Sequence, residues 1–243
     1  MIHVDERNWQ WVYSATALIG LLVALLLPSS RGFVAPRSRR AYVVLQIVTL
    51  LGAAIGAKLA FLAGDLAWPV SHVTWEEVLF SGRSITGGLL GGFLCAELGK
   101  IAIGYRELPN DWFATKLPLS IGIGRVGCVF AGCCRGVAGD YPGAFVYSDG
   151  VARFPAQAVE LAFQVVAFAL AVVAFRRGAF RGRIFAVYMI AYGVFRAVVE
   201  GVRDTRKMAD GLSVYQVLAV LLAVAGIASY AWYSRAAKRE GHA

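Results

Sequence analysis

The sequence predicts an all-α integral membrane protein with seven transmembrane helices, its amino terminus outside and its carboxyl terminus inside. Three observations predict it. Of 243 residues, 58% are hydrophobic and only 16% are charged, against roughly 25% charged in an ordinary soluble domain. Seven apolar runs, each near the ~20 residues that cross a hydrocarbon core, take up most of the length. Basic residues gather in alternate connections between those runs. This balance excludes a disordered chain, a collagen-like chain and a conventional soluble enzyme. The net charge of +9 does not indicate nucleic acid, because the basic residues lie between apolar runs rather than on one face. Residues 1–243 are expected to form a single membrane domain.

The first run, WVYSATALIGLLVALLL at 11–27, stops at Pro28. Asp5, Glu6 and Arg7 precede it in place of a basic n-region, and no small-x-small cleavage site follows, so it reads as a span rather than a signal peptide. The second run covers 41–63 and carries Lys58. The third covers 85–104. The fourth, 112–131, holds Lys116 and Arg125. The fifth, sixth and seventh cover 155–175, 184–200 and 212–234.

The connections set the orientation. The segments after spans one, three and five, with the carboxyl tail, hold thirteen basic residues, among them Arg31, Arg37, Arg106, Arg181 and Lys238. The opposite side holds seven, including Arg7, Arg83, Arg153 and Lys207. The positive-inside rule places the richer set in the cytoplasm. Two outer segments exceed a turn. Residues 64–84, with Trp68, His72 and Trp75, read as a short amphipathic arm in the interface. Residues 132–154 form a glycine-rich loop, and long loops over a scaffold often cover a site.

An ionisable side chain inside a span is costly and marks function by default. Arg125 lies ~20 Å up from the inner end of its span and about 10 Å below the outer face. Arg196 sits at similar depth on span six, and Glu160 is ~8 Å below the outer end of span five. Tyr192, Arg196, Glu200 and Arg203 are spaced 4, 4 and 3, along one helix face. One reading is a self-neutralising Arg196–Glu200 pair with Arg203 reaching outward. The other, favoured by the shared depth of Arg125 and Glu160, is a polar cavity. Gln157 joins Glu160 on the same face. Guanidinium groups match phosphate through two-pronged hydrogen bonds, so arginines below the outer head groups are placed to grip a phospholipid phosphate and to stabilise it as it departs.

Glycines cluster as GGLLGG at 87–92 and GIGRVG at 122–127. Close helix packing explains Gly91 and Gly92. Glycines beside Arg125 admit a bend or the approach of a head group. Cys95 reads as a small buried residue. Cys128, Cys133 and Cys134 lie together near Arg125 and Arg135, which favour a thiolate. They stand as nucleophiles, as a disulfide pair or, with His72 and His3 on the same side, as metal ligands. No cofactor or metal is expected.

Four ordered segments resemble the prolipoprotein diacylglyceryl transferase family. They are SITGGLLGG at 84–92, GRVGCVFAGCCRG at 124–136, RFPAQAVELA at 153–162, and YGVFRAVVEGVRD at 192–204 followed by GLSVYQVLA. The resemblance implies transfer of a diacylglyceryl group from phosphatidylglycerol to the lipobox cysteine of signal-peptide-bearing lipoprotein precursors. The products are a thioether and glycerol 1-phosphate. It implies a bacterial inner membrane location and an active site toward the periplasmic leaflet. By position, Arg125, Tyr192, Arg196, Glu200, Cys128, Cys133 and Cys134 fall at catalytic places. Gly87, Gly88, Gly124, Gly127, Gly136, Gln157, Glu160 and Arg203 fall at substrate-binding ones. Departures are specific: Thr86 stands at the family's histidine, Cys128 and Ala131 at its asparagines, Cys133 at its acidic residue and Phe154 at the histidine before proline. Two alternatives follow from them. One is a paralogue that uses the clustered cysteines on another lipid or thiol acceptor. The other is a non-catalytic phospholipid-binding protein.

Overall fold

The computed structural model describes residues 2–3, 10–26, 39–64, 82–104 and 110–240. Seven helices make up most of it: α1 Gln10–Leu26, α2 Arg39–Gly64, α3 Ile85–Ile103, α4 Asp111–Phe130, α5 Ala156–Arg176, α6 Ile184–Val199 and α7 Val214–Glu240. Among the described residues, six helices are long and apolar enough to cross a membrane, and the apolar stretch Trp11–Ala24 of α1 is shorter. Burial is inverted relative to a water-soluble protein. Leu59, Leu98, Leu170, Val198 and Trp232 face outward, while Arg125, Glu160, Gln164 and Glu200 are buried. A hydrocarbon solvent produces this arrangement, because there the apolar side chains lose nothing outside and the polar ones must find partners inside. The chain is an all-α membrane protein.

Small residues set the closest helix contact. Gly52 and Gly56 of α2 face Gly87 and Gly91 of α3, and a Cβ on Gly56 would meet the Gly87 carbonyl oxygen and the Gly91 Cα. Without a hydrophobic force between helices in lipid, such backbone approach supplies the contact energy. Gly87, expected at the substrate, is therefore a packing residue against Gly56 and Ala60. Helix α3 starts at Ser84, whose side chain accepts from the Gly87 N–H at 3.3 Å, and ends at Gly104 with φ 72°. Asp111, at the start of α4, accepts from the Gly182 and Ile184 N–H groups at 2.5 and 2.8 Å. It thereby caps the amino end of α6 from another helix.

The sequence-derived spans agree with six helices to within two residues at each end. The seventh runs past the expected 234 to Glu240, because hydropathy marks where the bilayer ends, while Lys238, Arg239 and Glu240 remain good helix formers. Span six departs in kind. Its α-helix stops at Val199, a 3-10 turn covers Glu200–Val202, and Arg203 is extended with φ −94° and ψ 145°. Arg203 is thus not on the helix face that its spacing suggested. The residues expected to form the amphipathic arm lie, for 65–81, outside the described residues.

A small sheet forms at one end of the bundle. β1 (Ile2–His3) pairs parallel with β2 (Phe145–Val146), which pairs antiparallel with β3 (Ala152–Arg153). Isolated bridges join Gly136 to Arg203 and Ala138 to Arg153. The amino-terminal residues, the 131–155 loop and the segment after α6 therefore share one end of the molecule.

Candidate functional site

At that end, α4, α5 and α6 bring their charges together. Arg125 Nη2 lies 2.8 Å from Glu160 Oε1, across from α4 to α5. The Tyr192 hydroxyl of α6 donates to the same oxygen at 2.7 Å. Arg196 Nη1 lies 2.9 Å from Glu200 Oε2, and Arg203 Nη1 reaches the same oxygen at 3.7 Å. Ser213 donates to Glu200 Oε1 at 3.4 Å. All three guanidiniums and both carboxylates are buried. Charges on three helices thus meet at one end of the bundle.

Each carboxylate fills the space beside an arginine, since a buried guanidinium without a counterion is costly. The Arg196–Glu200 pair, from α6 to the 3-10 turn that follows it, is the self-neutralising arrangement, and it coexists with the convergence of helices. The network is not saturated, however. Three guanidiniums face two carboxylates, which leaves one positive charge. Arg125 Nε and Arg203 Nε have no hydrogen-bond partner, and Arg196 Nη1 is near Glu200 without hydrogen-bond alignment. Unfilled guanidinium donors in a buried place are rare and call for an acceptor.

Gln157 ties this network to the outer loop. Its Nε2 donates to the Cys133 carbonyl at 2.5 Å and to the Tyr147 hydroxyl at 2.9 Å. Two turns further along α5, Gln164 accepts from the Tyr188 hydroxyl at 3.0 Å. Sequence reading missed Gln164, although its spacing from Gln157 and Glu160 continues one polar stripe. It also missed Ser213. Below the network, Phe163 stacks on Phe195 at 4.2 Å between ring centroids and Tyr188 on Tyr192 at 5.9 Å, which holds the Tyr192 ring in place.

The glycines divide by their surroundings. A Cβ on Gly127 would strike Thr16 of α1, and one on Gly136 would strike Phe154, so both are sites of close packing. Gly124 has open space. Gly88 lines an apolar cavity of about 330 Å³ between α1, α2, α3 and α4. Arg83 lies toward one end of that cavity and Asn110 and Lys116 toward the other, and Arg125, Arg196 and Arg203 do not line it. Thr86 is buried, and its hydroxyl lacks a partner.

The three clustered thiols converge. Cys128, Cys133 and Cys134 hold their sulfurs within 4.8 Å of one another. Arg125 Nη1 donates to Cys128 Sγ at 3.7 Å. The Cys133 thiol donates to the Cys128 carbonyl at 3.8 Å; the neighbouring Cys128 and Cys133 thiols pull the Cys134 pKa well below the ordinary thiol value, and Arg125 and Arg203 act in the same direction. Cys133 is pushed up in turn, chiefly by Cys128. The cysteines carry no disulfide.

The family model described as Prolipoprotein diacylglyceryl transferase matches residues 5–232. Curated relatives named phosphatidylglycerol–prolipoprotein diacylglyceryl transferase are similar over most of their length. The protein from Azotobacter vinelandii is 31% identical over 248 residues, covering 95% of this chain and 92% of its own. That from Clostridium tetani is 26% identical over 223 residues, covering 88% and 90%. That from Bordetella bronchiseptica is 30% identical over 207 residues, covering 79% and 77%.

Proposed function

The chain belongs to the prolipoprotein diacylglyceryl transferase family, and from that membership we propose that Arg125, Arg196 and Arg203 hold the phosphate of phosphatidylglycerol during transfer. The protein is a transferase that moves a diacylglyceryl group from phosphatidylglycerol to prolipoproteins. The observation that supports the assignment of the arginines is the incomplete network, with its surplus positive charge and unfilled Nε donors. A phosphodiester carries one negative charge, which matches that surplus.

In the proposed reaction the acceptor cysteine releases its proton to solvent and its sulfur attacks the glyceryl carbon of the diacylglyceryl group. The carbon–oxygen bond to phosphate breaks, a thioether forms and glycerol 1-phosphate leaves with one additional negative charge. Guanidiniums aimed at that phosphate stabilise the charge as it develops. Glu160, Glu200 and Tyr192 orient the arginines, and Gln157 fixes the loop above them. The apolar cavity lined by Gly88, Leu89 and Phe93 accommodates an acyl chain. Gly124, with open space beside it, lets the head group approach α4.

The bilayer context follows the same reading. Residues 1–243 form one membrane domain of seven spans in the bacterial inner membrane. The amino terminus and the 131–155 loop lie on the periplasmic side, where signal-peptide-bearing lipoprotein precursors emerge. Expression in cells depleted of their own transferase tests the activity. The expected result is thioether lipidation of a reporter lipoprotein, read by mass spectrometry. A well-expressed protein that leaves the reporter unmodified contradicts it.

A further inference from the structure

We propose that Cys128, Cys133 and Cys134 form a three-coordinate site for a soft, thiophilic monovalent cation, of which Cu(I) is the biological representative. Spacing alone carries no such expectation, since C-x4-C-C is not a zinc pattern. The backbone creates the site. Helix α4 ends at Phe130, Gly132 and Cys134 both take positive φ, 59° and 58°, and the chain turns back so that residues 133 and 134 face Cys128. A cysteine in that region is uncommon and is held there by its surroundings. Here the loop is pinned by Gln157 on the Cys133 carbonyl and by Arg135 Nε on the Gly132 carbonyl at 2.8 Å.

The geometry favours an ion over a disulfide. A disulfide joins two sulfurs and leaves the third unused, whereas all three lie within 4.8 Å of one another. Thiolates bound at about 2.3 Å to one ion in a plane would sit about 4 Å apart, so the loop needs to contract by less than an ångström. Among the described residues, no histidine or carboxylate joins the group. A structural zinc site takes four protein ligands, whereas a set of three soft thiolates matches the preference of Cu(I). Binding releases the thiol protons to solvent, and no electron moves. Arg125 Nη1 donates to Cys128 Sγ at 3.7 Å, and a metal-bound sulfur still accepts that hydrogen bond.

The test is a titration of the full-length reduced protein in detergent, without oxygen, with Cu(I) competing against a colorimetric chelator. The expected result is one equivalent withheld from the chelator, near-ultraviolet charge-transfer absorption, and three sulfur neighbours by X-ray absorption. Cys128→Ser, Cys133→Ser and Cys134→Ser should each weaken binding by more than about tenfold, the scale seen even for losing an outer partner of a metal site. Cys95→Ser should leave stoichiometry unchanged. If a serine variant does not fold, alkylation of the unaltered protein decides. Cu(I) should shield three thiols from iodoacetamide, and Zn(II) should not. Loss of all copper to the chelator, unchanged binding after the cysteine replacements, or equal shielding by Zn(II) overturns the proposal. None of these readouts depends on transferase activity.

Discussion

Replacing Glu160 with alanine is expected to cost about 3–5 kcal/mol of stability, the usual penalty for removing one partner of a buried ion pair, and to abolish diacylglyceryl transfer. Glu160 is the hub of the site. It holds Arg125 at 2.8 Å and Tyr192 at 2.7 Å through one oxygen, so a single carboxylate joins α4, α5 and α6. Its removal leaves the Arg125 guanidinium buried without a counterion and the Tyr192 hydroxyl without an acceptor. Glu160→Gln separates the two effects. The amide oxygen still accepts from both partners, so helix packing survives, but the negative charge is gone and Arg125 is less firmly oriented. Thermal unfolding in detergent should therefore show a large drop for alanine and a smaller one for glutamine, with transfer impaired in both. Equal stability of all three proteins contradicts the role of Glu160.

Arg203→Ala is expected to reduce transfer by about 10²–10³-fold, the loss typical of deleting one donor to a developing anion, with little change in fold. The backbone explains the second half. The segment around Arg203 is held by main-chain bonds that survive the substitution: the Val137 N–H donates to the Val202 carbonyl at 3.0 Å, and Gly136 and Arg203 form a bridge. The side chain explains the first half. Its Nη1 is 3.7 Å from Glu200, a loose pair, and its Nε has no partner. Of the three arginines it is the one farthest from its carboxylate partner. Arg203→Lys keeps the charge and loses the fork, so it should recover part of the rate. Initial rates of reporter modification check this series. Wild-type rates for Arg203→Ala remove the residue from the phosphate site.

Much of this arrangement was legible in the sequence. Hydropathy locates six helices because lipid demands continuous apolar surface and internal backbone pairing. Helix rise is constant, so counting residues placed Arg125, Arg196 and Glu160 at one level without any coordinates. Counting does not say which partner each charge takes. That Arg125 crosses to Glu160 while Arg196 pairs with Glu200, four residues along its own segment, depends on helix rotation, which spacing on separate helices leaves free. Arg203 escaped because an α-helix that tightens into a 3-10 turn keeps its sequence spacing but changes its direction. Gly52 and Gly56 passed unnoticed, since small residues declare themselves only against the helix they meet. The meeting of three thiols depends on a left-handed residue at Cys134, a conformation that its amino-acid type does not announce.

In this reading of the site, phosphate binds where the guanidiniums outnumber the carboxylates. A high-resolution structure of the protein reconstituted with phosphatidylglycerol tests it most directly. The lipid phosphate is expected within hydrogen-bond distance of Arg203 and of Arg125 or Arg196, with an acyl chain in the cavity beside Gly88. A phosphate bound at Arg83 or Lys116, with all three arginines still closed on Glu160 and Glu200, would contradict it.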